Sequence, residues 1–208
     1  MPGEREGVVG YNLEHSPGAA PPRHLMARLD AWRTVLFRLA LVGGRDPDRY
    51  HGLGFGNVSR RLASGFLISG TQTGHLPVLN ASGYCQVLEC DSGANRIRSI
   101  GPVPPSSEAL SHGAVYAARP RAGCVLHAHS PDIWNAARQL DLPASSAAVP
   151  YGTPEMAAEL DRLCRQSAMR DRGIFAMGGH EDGVIAYGPD EETAGQLLVA
   201  TLARALAR

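Results

Sequence analysis

The chain reads as an α/β protein with a mixed sheet and helices on its faces, and three observations predict this class. Short apolar runs bounded by glycine and proline alternate with longer stretches of helical periodicity. Some of these runs are joined by tight turns and others through helices, so hairpins and crossovers share one sheet. The 208 residues carry twenty acidic and twenty basic side chains with no charged block, which suits one core and small-molecule partners and leaves no basic face for nucleic acid.

Taken in order, residues 1–22 are rich in Gly, Pro and polar groups and are expected to form a flexible arm ahead of a single domain over 23–208. From Arg23 to Val42, the residues Leu25, Leu29, Trp32, Leu36, Leu39 and Ala40 recur at helical spacing, and Gly43-Gly44 supplies a stop. GLGFGNVSRRL is a turn entering a short strand, while FLISG and CQVLEC (85–90) have the length and composition of buried strands. After PPSSE a helix is predicted from about Ser107 to Arg119, followed by the strand AGCVLHAH. Ser130 and Pro131 suit the N-cap and first position of a helix PDIWNAARQL, and Thr153-Pro154-Glu155 repeats that signal for a helix reaching about Met169. GIFAM and GVIAY are short strands joined by GGHED, and the stretch from Pro189 to Arg208 is a final helix.

Composition removes several kinds of chemistry. All twenty basic residues are arginine, so any mechanism that needs a lysine Schiff base is excluded. Cys85, Cys90, Cys124 and Cys164 form no C-x-x-C pair, and no disulfide framework is expected. The first twenty residues contain no apolar core of a leader, so neither a signal peptide nor a membrane span is predicted, and a cytoplasmic location is the expectation.

The chemistry centres on CVLHAHS (124–130), an apolar run that ends in two histidines. Residues two apart on a strand share a face, which brings the Cβ atoms of His127 and His129 to roughly 6.5–7 Å. Two imidazoles so placed can converge on one ion, and a catalytic zinc takes three protein ligands with a fourth position open. His180, in the glycine-rich turn GGHED, is the candidate third ligand, and His112 a candidate supporting partner beside the site. Glu108, at a predicted helix start, is either a favourable charge on the helix dipole or a general base. GNVS (56–59), TQTG (71–74) and the Ser-Ser pair before Glu108 are turns, or else the small hydroxyl and N–H donors that an anionic group such as phosphate needs.

In order, G-N-V-S, T-G, P-S-S-E-x-x-x-H, H-x-H-S and a late G-H resemble the class II aldolase/adducin family over about residues 25–205. The resemblance implies a three-layer α/β/α fold with a mixed, mostly antiparallel sheet, assembled as a homotetramer. It implies Zn2+, or another divalent cation, on His127, His129 and His180, with Glu108 as acid/base. It also implies a substrate phosphate held by Asn57, Thr73, Gly74, Ser106 and Ser107. The expected activity is lyase chemistry of aldolase type: retro-aldol cleavage of a small, phosphorylated hydroxy-carbonyl compound through a zinc-stabilised enediolate. A pentulose-phosphate 4-epimerase or a dehydratase would use the same metal site, and a non-catalytic adducin-like assembly module is the alternative of a different class. Three departures from the family pattern stand out. No tyrosine occurs in QLDLPASSAAVP (139–150) to donate a proton, since Tyr151 matches a different family position; Thr73 replaces the more usual serine but keeps the hydroxyl; and Glu181 and Asp182 follow the third histidine directly.

Overall fold

The computed structural model describes residues 10–44, 50–149, 153–165 and 173–208. Its centre is one eight-stranded sheet in the order β1-β5-β4-β3-β2-β6-β8-β7. In chain order the elements are β1 (Asn12–Pro17), α1 (Arg23–Arg38), β2 (Asn57–Arg61), β3 (Phe66–Ser69), β4 (Tyr84–Asp91), β5 (Arg96–Gly101), α2 (Ala109–Ala118), β6 (Cys124–His129), α3 (Pro131–Ala136), α4 (Pro154–Arg165), β7 (Ile174–Ala176), β8 (Gly183–Gly188) and α5 (Glu191–Leu206). Every neighbouring pair is antiparallel except β1 and β5, which run parallel. The expected mixed, mostly antiparallel sheet is therefore present.

Two cores make three layers. On one face Leu67, Leu126 and Val184 pack with Leu29 and Leu36 of α1, Ile133 of α3 and Leu198 of α5. On the other, Ile68, Val87, Val125 and Ile185 pack with Leu110 and Val115 of α2 and Leu160 of α4. β6 is buried at every position. Strand alternation sends Cys124, Leu126 and Ala128 into the first core and turns Val125, His127 and His129 toward the side that carries α2.

The structure corrects several sequence expectations. Residues 1–22 read as an unstructured arm, yet Asn12–Pro17 form an edge strand paired with β5. β5 itself escapes sequence reasoning, because Ser99 occupies a buried position while Ile100 is partly exposed, which inverts the apolar alternation that marks a strand. Helix α1 stops at Arg38 rather than Val42: Ala40 takes a positive φ of 55°, and the Leu41 N–H bonds back to the Leu36 carbonyl at 2.9 Å. Helix α3 ends at Ala136, well before the expected Leu140. The predicted caps do occur, with Ser130 Oγ accepting from the Ile133 N–H and Thr153 Oγ1 from the Met156 N–H. The helix expected to run to Met169 is described as far as Arg165, and Tyr151 lies outside the described residues. Among the described residues no helix is long and apolar enough to cross a membrane.

Candidate metal centre

His127 and His129 come from the end of β6, a strand that is hydrogen-bonded on both sides. His127 faces Asn57 on β2 and Ile185 on β8, and His129 faces Gly183 at the start of β8. His180 arrives from the β7–β8 turn, where Met177 and Gly183 close the hairpin and the His180 N–H bonds to the Met177 carbonyl at 3.1 Å. A side chain on Gly179 would collide with the Val149 carbonyl, so only glycine lets this turn pack against the 145–149 segment.

The three rings converge. Their centroids lie 5.0, 5.0 and 4.6 Å apart, and one nitrogen from each ring lies within 4.8 Å of the others. His127 Nε2 and His129 Nε2 are 3.2 Å apart. Nitrogens bound tetrahedrally to one zinc at 2.0–2.1 Å would be separated by about 3.3 Å, so the donor set fits a divalent ion. All three residues are buried. Burial first, then the nearby His180 and His112, holds the His127 imidazole well below its usual pKa, which leaves it neutral with a lone pair to offer. Three clustered imidazoles without an ion would be a poor use of buried polar volume.

Glu108, at the N-terminal boundary of α2, is fully buried beside the triad. Its Oε2 accepts from Ser111 Oγ at 2.6 Å, and its Oε1 stands 3.8 Å from His180 Nδ1. The side chain does not cap the helix. The carboxylate is instead engaged by Ser111 and lies near His180, although its place at the start of α2 also suits the helix dipole. Asn57 joins the same group of residues as the cross-strand neighbour of His127, and its Oδ1 is buried without a hydrogen-bond partner among the described residues.

The candidate phosphate residues lie in two adjoining loops, tied by the Gly70–Pro105 bridge and by the Thr71 N–H on the Pro104 carbonyl at 3.0 Å. Thr73 Oγ1 is turned inward and donates to the Gly70 carbonyl at 2.7 Å. Ser106 Oγ accepts from the Glu108 N–H at 3.3 Å, and Ser107 is buried next to it. The hydroxyls of Thr73 and Ser106 therefore shape the loops they belong to.

His112, the candidate supporting partner, lies near His127, but its hydrogen bond goes to Ser59. Its Nδ1 bonds Ser59 Oγ at 2.6 Å, and that hydroxyl also meets Tyr116 Oη at 2.8 Å. Burial lowers its pKa to about 3. Three contributors escape sequence reasoning. Tyr50 packs edge-on against His129 at 4.5 Å and donates to Asp182 Oδ2 at 2.6 Å, so Asp182 ties the β7–β8 turn to the segment before β2. Tyr11 Oη donates to the Ser106 carbonyl at 2.8 Å, pinning one loop from the supposed arm. Arg33 holds the other loop. Its only sequence signal is its place on the buried α1 stripe Met26, Leu29, Arg33, Leu36.

A layered α/β sheet whose central strand delivers converging imidazoles beside a buried carboxylate defines a protein with a three-histidine site of divalent-metal type. Residues 47–206 match the family model described as the class II aldolase and adducin N-terminal domain, and the chain belongs to that family. A methylthioribulose-1-phosphate dehydratase of Gluconacetobacter diazotrophicus is 35% identical over 107 residues, 50% of this chain and 49% of that protein. The match thus spans about half the length of that relative. Among solved structures, an L-fuculose-1-phosphate aldolase from Thermus thermophilus superposes with a TM-score of 0.65 at 20% identity, covering 89% of this chain and 93% of that one. A sugar-phosphate aldolase from Thermotoga maritima gives 0.64 at 14% identity, covering 89% and 93%. These likenesses establish the fold.

Proposed function

We propose that the protein is a metal-dependent lyase that breaks a bond next to the carbonyl of a small, phosphorylated hydroxy-carbonyl compound, with C–C cleavage of aldolase type as the first reading. The observation that carries this is the convergence of His127, His129 and His180 beside the buried Glu108. Those three residues would hold a divalent ion, with zinc the first choice. When bound there, such an ion supplies Lewis acidity to a substrate carbonyl, the role that a lysine plays elsewhere and that this lysine-free chain cannot fill.

The chain's own residues supply the rest. Glu108 takes up and returns the proton at its Oε1 side, while Ser111 fixes the other carboxylate oxygen and so the direction of the group. Asn57 offers its side-chain amide next to His127. The loops around Thr73, Gly74, Ser106 and Ser107 bind the anionic end of the substrate through backbone N–H groups and the Ser107 hydroxyl. Because all these groups are buried, the low local dielectric strengthens each electrostatic contact with the substrate.

A second reading is supported by the 35% identity to a dehydratase: the same base would remove a proton beside the carbonyl, and a neighbouring hydroxyl would leave as water. The deciding experiment loads the protein with zinc and screens phosphorylated and free ketoses and hydroxy acids, following carbonyl fragments and dehydrated products together. Glu108→Gln should retain zinc and lower kcat about 10²–10⁴-fold, with loss of solvent exchange at the substrate's acidic C–H. Unchanged exchange would remove Glu108 from this role. Protein that holds no zinc even after reconstitution would leave the adducin-like assembly module as the better account.

A further inference from the structure

Arg33 has an environment that helix propensity does not explain. It sits in the middle of α1 with 1% of its surface exposed, and a cation taken so fully from water needs compensation. Among the described residues no carboxylate forms an ion pair with it. Instead its Nη2 donates to the carbonyls of Thr73, Gly74 and Leu76 at 2.9, 3.1 and 2.6 Å. Burial lowers the guanidinium pKa, and Tyr84 and Asp30 act in the opposite sense. Phe37 packs its ring 5.6 Å from the guanidinium carbon.

The orientation of these carbonyls has a consequence on the far side of the loop. In a trans peptide the C=O and the following N–H point in opposite directions. Drawing the Thr73 carbonyl toward Arg33 therefore turns the Gly74 N–H away from it. That edge of the loop faces Gly54: a Cβ built there would stand 3.3 Å from the Gly74 nitrogen and 3.4 Å from the His75 nitrogen. Glycine at 54 lets its backbone approach this edge of the loop closely, where a side chain would crowd the Gly74 nitrogen. The arrangement is a loop with an amide edge on one side and a fixed positive charge behind it, which favours an anion in front.

We propose that Arg33 is a positioning residue for the substrate's anionic group: by gathering the three carbonyls it directs the Gly74 amide toward that group and places a permanent charge behind the loop. This rests on the reading of the Thr73–Gly74 loop as the anion subsite. All three bonds come from Nη2, so lysine would keep the charge and one donor nitrogen on a shorter stem, whereas methionine would remove both charge and donor.

The test is calorimetric titration of inorganic phosphate into the zinc-loaded full chain, for wild type, Arg33→Lys, Arg33→Met and Ser107→Ala. Phosphate affinity is expected to fall about tenfold in Arg33→Met and by less in Arg33→Lys, with one zinc per chain retained in both. In the unsubstituted protein, phosphate should also slow hydrogen exchange at the Gly74 amide, a readout that does not depend on an Arg33 variant folding. If Ser107→Ala weakens phosphate binding while both Arg33 variants bind as tightly as wild type, or if Gly74 exchange is unchanged by bound phosphate, the role of Arg33 is overturned. If wild type itself binds no phosphate, the anion subsite is what fails, and the inference goes with it.

Discussion

At the end of β6, geometry is set by a strand: His127 and His129 share a face because side chains alternate, and the ladders to β2 and β8 hold both backbones in register. In the 70–76 loop no ladder does this work. There the backbone takes its shape from a buried guanidinium on α1, from Thr73 Oγ1 on the Gly70 carbonyl, and from the bridge to the Ser106 loop that Tyr11 pins in turn. On the proposed function, the groups that need exact placement lie on regular structure, and the groups proposed to meet an anion lie on a loop held from behind. The two regions should therefore respond differently to substitution.

The largest separation is expected from His129→Ala. Removing a ligand from a strand-borne triad should weaken zinc binding by more than about 100-fold, the upper range for losing even a supporting partner, while phosphate affinity of the loop changes far less. Competition with a chromophoric chelator measures the first, and titration of phosphate the second. Equal losses at both would mean that the two regions form one unit and that the contrast is false.

An intermediate effect probes His112, the buried histidine on the α2 side that is not part of the triad. Its pKa lies at about 3 in the fold against 6.5 when unfolded, so the unfolded chain takes up the proton first as pH falls. The stability associated with the neutral ring is complete above pH 6.5 and is lost progressively from there toward pH 3. His112→Gln should reduce the acid slope of unfolding free energy by up to about 1.4 kcal/mol per pH unit in this window. Urea denaturation of metal-free protein between about pH 4 and 7 reads this directly. An unchanged slope would show that His112 does not titrate differently on unfolding.

The smallest effect is expected from Tyr11→Phe, which deletes one hydroxyl bond to the Ser106 carbonyl and should cost about 0.5–1.5 kcal/mol. Zinc affinity should be unaffected and phosphate affinity slightly reduced. A drop in zinc affinity would show that the Ser106 loop also supports the metal side through Glu108, whose N–H bonds Ser106 Oγ.

What can be read from the chain follows the same division. The strand pair His127/His129 is legible because a period of two is a local property of backbone, and His180 because glycines on either side mark a turn that can approach closely. Asn57, Thr73, Gly74, Ser106, Ser107 and Glu108 are legible as chemistry, and the fold brings them into two adjoining loops and the β2–β6 register. The edge strand β1 and its partner β5 are not legible, since their apolar content is low and Ser99 takes a buried place. His112 lies near His127 as expected, but its hydrogen bond to Ser59 is not legible, because helical spacing places a residue on a face without saying which strand residue it meets.

Sequence alone determined most of the element types, the histidines that share a strand face, the absence of any lysine for imine chemistry, and the family to which the chain belongs. Tertiary structure alone decided that a turn far along the chain from β6 swings its histidine onto that pair, that Ser59 and not the triad receives His112, and that an arginine of the first long helix is sealed behind a loop it never neighbours in the chain. The reason is physical: backbone periodicity acts over a few residues, whereas the desolvation of an imidazole or a guanidinium is settled only by what distant segments bring against it.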